Sequence, residues 1–130
     1  MRPARAIALL GAAYVLVGCG ASAKDQVQAK VEQFAHATAN RDYATLCNQV
    51  LAPDLVQHLT DAGLTCQQAM KLFVQSVQNP TLSVSKVSVK GKTASAVVLA
   101  SATGQKASLE SIKLVQTKQG WRLESLASPQ

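Results

Sequence analysis

Up to residue 78 the apolar side chains return every three or four positions, and after Pro80 they return every second one. The first period is that of helices buried along one stripe, the second that of half-buried strands. Val27, Val31, Phe34 and Thr38 predict an amphipathic helix over 25–39, opened by an Asp25/Gln28 capping box and broken at Asn40-Arg41. Asp42 then reads as the N-cap of a second helix whose stripe is Tyr43, Leu46, Cys47, Val50 and Leu51. Pro53 and Gly63 bracket a short third helix over 54–62 with Leu55, Val56 and Leu59 on its apolar side. Thr65 and Gln68 form another capping box, and Cys66, Ala69, Met70, Phe73, Val74 and Val77 extend a fourth helix through Gln78, where Asn79-Pro80 stops it.

The remainder predicts four antiparallel strands turning at Gly91, Gly104 and Gly120. Leu82 and Val84 share a phase that Val87 and Val89 miss by one residue, so a bulge near Ser85 or Lys86 is needed to keep all four on one face. Leu109 and Ile112 read as a second slip of the same kind. Bulges bend sheets. The expected architecture is therefore α+β, with N-terminal helices packed against a curved four-stranded antiparallel sheet.

Ahead of these elements, Arg2 and Arg5 precede an uncharged run from Ala6 to Val17. A helix needs about 20 apolar residues to span a bilayer, so this shorter run has the form of a secretory signal. It ends in Leu16-Val17-Gly18-Cys19, which resembles the lipobox of bacterial lipoproteins. That resemblance implies cleavage before Cys19, lipid on its thiol with palmitate among the acyl groups, and anchorage on the outer face of the cell membrane. A thiolate is a suitable nucleophile for the thioether bond. The alternative is an ordinary cleaved signal peptide that contains a cysteine. The expected organisation is a signal peptide over 1–18, a lipidated cysteine and short tether over 19–24, and one domain over 25–130. The tether, about 18 Å at full extension, keeps that domain near the bilayer.

The 13 basic and 7 acidic residues become 11 and 7 once Arg2 and Arg5 are removed, so the mature chain carries about +4. A modest positive charge outside the membrane suits anionic lipid or wall polymers. The aromatic and basic platform that single-stranded nucleic acid requires is missing, so nucleic acid is not an expected partner. Cys47 and Cys66 remain as an even pair in an oxidising compartment and are expected to form a disulfide, with two buried free thiols as the alternative.

The stretch "ANRDYATLC" closing the first helix, the capped helix after Gly63 and the final "TKQGWRLESL" resemble the NTF2-like (cystatin-like, SnoaL-like) superfamily, and in particular small lipid-anchored actinobacterial members. The resemblance implies a cone in which a curved sheet closes over helices around an apolar pocket. The short strand that many members have between the second and third helices finds no counterpart in the pattern.

Isomerases and cyclases of that superfamily use an inward carboxylate assisted by a tyrosine or a second acid. Here Asp42, Asp54 and Asp61 fall at helix ends, where capping explains them, and Glu110 and Glu124 are the only acids in the strands. No general base emerges, and Tyr43 reads as a packing residue. Redox, serine-nucleophile and phosphate-loop motifs are missing, and His36 and His58 stand apart from other ligands, so no metal or cofactor is expected.

Two features remain. Lys86, Lys90 and Lys92, with Lys113, Lys118 and Arg122 on the later strands, form a candidate contact with an anionic surface or, alternatively, protect exposed strand edges. Ala94, Ala96, Ala100, Ser101, Ala102 and Ala107 either allow close packing against helices or leave a cavity whose mouth would involve Phe34, Tyr43, Phe73 and Trp121. The sequence thus leads to the expectation of a membrane-anchored, non-enzymatic module that binds an apolar ligand or a protein partner. A SnoaL-like enzyme is the alternative. A third reading is an accessory subunit of an envelope complex whose exposed sheet face is covered by another chain or by a second copy.

Overall fold

A computed structural model describes residues 21–126 and the backbone of 128–129. The signal segment and Cys19 lie outside the described residues. Helix α1 (Ala23–Ala39) starts earlier than the sequence pattern suggests, because Ser22 rather than Asp25 is the N-cap: its hydroxyl accepts the Asp25 N–H at 3.2 Å. Asp25 thereby sits in the first turn, where its charge opposes the positive end of the helix dipole. Ala23 and Lys24 of the expected tether are already helical.

The second helical segment begins as α2 (Tyr43–Thr45), with Asp42 as N-cap, and widens into a π-helical turn (Leu46–Val50) closed by the Leu51 N–H on the Leu46 carbonyl at 2.9 Å. The wider turn buries Leu46, Val50 and Leu51 together. Pro53 opens α3 (Pro53–Asp61), and Gly63 leaves it at φ 85°, a conformation that side chains disfavour. Both hydrogen bonds of the expected capping box are present at the start of α4 (Cys66–Gln75), which ends three residues before the expected Gln78. Cys47 and Cys66 are joined in a disulfide that ties the π turn to the first residue of α4.

Strands β1 (Thr81–Lys90), β2 (Thr93–Ala102), β3 (Gln105–Thr117) and β4 (Gly120–Leu123) form an antiparallel meander in that spatial order. A two-residue strand, β5 (Ser128–Pro129), pairs with Glu110 and Ser111 of β3. The register shifts between Val84 and Lys86, which returns Leu82, Val84, Val87 and Val89 to one face opposite Ala100, Val98, Ala96 and Ala94. The second expected slip is a different feature. Leu109 pairs with Leu99 in an unbroken ladder and points outward, and the further irregularity lies between Ala100 and Ala102. The short strand missing from the pattern is reduced to one parallel bridge, Leu51 to Leu123, beside which the Ala52 N–H donates to the Leu123 carbonyl at 2.8 Å.

The core lies between α1, the π turn, α4 and the inner sheet face: Val27, Val31, Phe34, Leu46, Val50 and Met70 meet Ala96, Val98, Ile112, Leu114, Trp121 and Leu123. Ala94 and Ala96 are the small inner-face residues of β2 that allow α1 to approach closely.

Two expectations follow for stability. Reduction of the intact protein will add two hydrogens to its mass, and removing the cross-link by Cys47→Ser with Cys66→Ser will lower stability by about 3 kcal/mol, the chain-entropy value for a loop near this length; denaturant unfolding of the two forms measures it. The Asp42 carboxylate accepts from the Thr45 hydroxyl at 2.7 Å and its N–H at 3.1 Å, and these bonds hold its pKa below the ordinary 3.8. Its contribution is therefore full above the unfolded-state pKa and is lost as pH falls through the lower folded-state value. Asp42→Ala will lower Tm at neutral pH, and the gap to the wild type will narrow below pH 3.8.

Candidate ligand pocket

At the end of the cone away from the start of α1, a cavity of about 240 Å³ opens between α1, α4 and the sheet. Phe34 and Thr38 come from the C-terminal half of α1, Phe73, Val74 and Val77 from α4 and the residues after it, and Leu82 and Ala100 from the sheet. The space exists because β2 ends in Ala100, Ser101 and Ala102, side chains too short to reach the helices. Its rim is held by the connection from α4 to β1. There the Thr103 N–H donates to the Gln78 carbonyl at 2.9 Å, and the Asn79 amide donates to the Thr103 hydroxyl at 3.1 Å. Asn79, at φ 47°, takes the left-handed conformation that asparagine tolerates better than most residues.

One carboxylate enters this apolar wall. Glu110 pairs with Val98, which is fully buried, and shares the inner-face phase of Ile112 and Leu114. The Ser108 hydroxyl donates to Oε1 of Glu110 at 3.1 Å, and both residues line the cavity. Across from the strand, Thr38 is 6% exposed and its Oγ1 has no hydrogen-bond partner among the described residues. A buried hydroxyl without a partner costs roughly 1–3 kcal/mol, which a ligand atom at this position would relieve. At the mouth, the Thr81 and Ser101 hydroxyls bond each other at 2.6 Å, and Lys106 lies exposed on the rim.

Of the four aromatic residues singled out from sequence, Phe34 and Phe73 line this cavity and Tyr43 and Trp121 do not. Tyr43 packs, half-buried, at the edge of the core, and Trp121 borders a second groove near the N-terminal half of α1. Ser108 had no distinguishing signal in the sequence, whereas Thr38 stands on the inward stripe predicted for the first helix. Glu110 had one, its spacing of two from Ile112, which reading Leu109 as an inward residue conceals. His36 and His58 are exposed, and no group of three metal-ligating side chains occurs among the described residues.

Lys86, Lys90 and Lys92 are exposed, Lys86 beside the bulge of the edge strand β1 and the other two around the Gly91 turn. Arg122 departs from the surface role expected of it. It is buried and donates from Nη1 to the Asn48 carbonyl at 2.9 Å. On the outer sheet face Leu99 and Leu109 stand directly opposite each other, 44% and 50% exposed.

No protein-family model matches the chain, and comparison with curated protein sequences finds no match. Among solved structures it is similar to a proposed dehydratase of the NTF2-like family from Streptomyces avermitilis, with a TM-score of 0.56 and 18% identity over 83% of this chain and 96% of that one. The fold is NTF2-like. The helices first, the bulged antiparallel sheet and the cavity at its open end are the arrangement the sequence resemblance implied.

Proposed function

We propose that this protein is a lipid-anchored module on the outer face of the cell membrane, whose cone binds a small molecule with an apolar body and a hydrogen-bond donor. The observation that supports this best is the cavity itself: an apolar wall of Phe34, Phe73, Val74 and Leu82, with the Glu110 carboxylate on one side and the unpartnered Thr38 hydroxyl on the other. Its volume is slightly below the usual 300–1,000 Å³ of small-molecule sites, which favours a compact ligand or one that extends through the mouth. A binding role without turnover fits the polar inventory. Proton transfer through Glu110 needs a second group to hold the charge that develops; among the described residues neither tyrosine nor histidine lines the cavity, and its one cationic side chain, Lys106, lies exposed on the rim.

Native mass spectrometry of the mature protein, released gently from its host membrane, tests the reading. The expected result is an extra small-molecule mass that disappears on denaturation and is absent from Ala100→Leu, which fills the cavity. A clean unliganded mass in the wild type would count against a carrier. The position of Glu110 also supports a SnoaL-like enzyme as the second reading, in which Glu110 removes a proton from the bound substrate. In that case Glu110→Gln will abolish turnover while the small-molecule mass persists. Anchorage has its own test: Cys19→Ser should leave the chain unprocessed by the lipoprotein route, and fractionation with mass measurement should show no diacylglyceryl addition.

A further inference from the structure

The two ends of α1 lie at opposite ends of the sheet. Phe34 and Thr38 border the cavity beside Thr81 and Ser101, whereas Gln26, Lys30 and Gln33 face the turn between β3 and β4, formed by Gln119, Gly120 and Trp121. Between them is an open groove of about 370 Å³. None of the residues lining it is acidic. The Lys30 ammonium donates to the Gln33 side chain at 2.7 Å and to the Gln49 carbonyl at 3.0 Å, which leaves one of its three protons uncommitted among the described residues. Arg122, the next residue after Trp121, donates to the neighbouring Asn48 carbonyl, but among the described residues its Nε has no partner, and neither has Nε1 of Trp121.

Two cations thus rest on consecutive carbonyls at the end of the π turn. Those carbonyls supply partial negative charge only, and no carboxylate forms an ion pair with either cation among the described residues. A buried guanidinium next to a half-buried ammonium is unfavourable without a counter-charge. Consistent with this, burial and then the Arg122 charge lower the pKa of Lys30. The surroundings add to the same sign. The Gly91 turn, with Lys90 and Lys92, lies at this end of the sheet, as the Gln116 N–H on the Lys92 carbonyl and the pairing of Gln116 with Trp121 show, and Lys118 is on the adjacent turn.

We propose that this groove binds a phosphate oxyanion, with Lys30 donating to it, the Gln119 amide and the second amide protons of Gln26 and Gln33, whose first go to the Ala21 carbonyl and to Gln49 Oε1, as further donors, and Arg122 supplying charge from behind. Its location names the source. The Gln26 amide donates to the Ala21 carbonyl at 3.0 Å, so the groove adjoins the chain that leads back to Cys19, and an anchor there would hold it at the level of lipid headgroups. Only this choice of source depends on the anchorage proposed above. The phosphate chemistry does not.

Trp121 is the only tryptophan of the chain and forms one wall of the groove, so its emission reads occupancy. The full mature protein is reconstituted in phosphatidylcholine vesicles, in vesicles that also contain phosphatidylglycerol, and in phosphatidylcholine vesicles with added inorganic phosphate. We expect a saturable change in emission with phosphatidylglycerol that is weakened at least tenfold in Lys30→Gln, retained in Lys30→Arg and unchanged in Lys71→Gln, which alters an exposed lysine of α4. A response to inorganic phosphate alone would support the oxyanion site and overturn the headgroup as its source. No response in either arm, or a response that Lys30→Gln leaves intact, overturns the proposal. Unliganded emission of Lys30→Gln matching the wild type shows that the variant is folded.

Discussion

The structure depends on one packing problem, how to cover the apolar stripe of α1. Val27, Val31 and Phe34 are each at most 1% exposed, and the four-stranded sheet has to curl around them to achieve this. A flat sheet with regular alternation does not do so. The bulge between Val84 and Lys86 solves two aspects at once: it keeps Leu82, Val84, Val87 and Val89 on the inner face and bends the edge strand over the helix. The other helices complete the enclosure on the remaining side, where the disulfide and the π turn hold α4 against the base of the cone.

A helix held this way presents two different ends. Where β2 carries Ala94 and Ala96, small side chains bring helix and sheet into contact and the core is closed. Where it carries Ala100, Ser101 and Ala102, α1 is near its end at Ala39 and the same small side chains line the cavity opposite Phe34 and Thr38. One compositional run thus serves close packing and cavity formation along a single strand. Which of the two occurs is decided by the distance to the opposing helix, not by the residue type.

That dependence sets the limit of what the sequence revealed. Helix and strand periods, the Thr65 capping box, the first bulge, the three glycine turns and the disulfide were legible because each is a local or pairwise signal. The start of α1 was misplaced because Ser22 and Asp25 both suit helix N-termini, and only the backbone geometry shows which one caps. Leu109 misled for a different reason. An apolar residue in a strand is read as inward, but the outer face of this sheet carries Leu99 and Leu109 as a cross-strand pair. An inward Leu109 implies an outward Glu110, so the direction of one leucine decides whether the carboxylate is seen to face the cavity.

The placement of Glu110 bears on activity through what surrounds it. For a carboxylate to act as a base on a substrate, the site must also stabilise the charge that the substrate acquires, and in low-dielectric cavities fixed donors usually provide this. The polar side chains that line the cavity with Glu110 are Ser108, which donates to the carboxylate itself, Thr38, the paired Thr81 and Ser101 hydroxyls, Gln105 and Lys106. Of these, Thr38 is buried with no partner among the described residues, whereas Lys106 carries its positive charge on the exposed rim. A cation on the exposed rim is screened by water and is a weaker provision for charge developing inside than a buried donor, while a buried hydroxyl and a carboxylate suffice to orient a ligand that offers one donor and one acceptor. The apolar wall from Phe34 to Phe73 supplies the area that recognition of such a ligand would need, so the binding proposal and the enzyme alternative share one wall and differ in what they ask of Glu110.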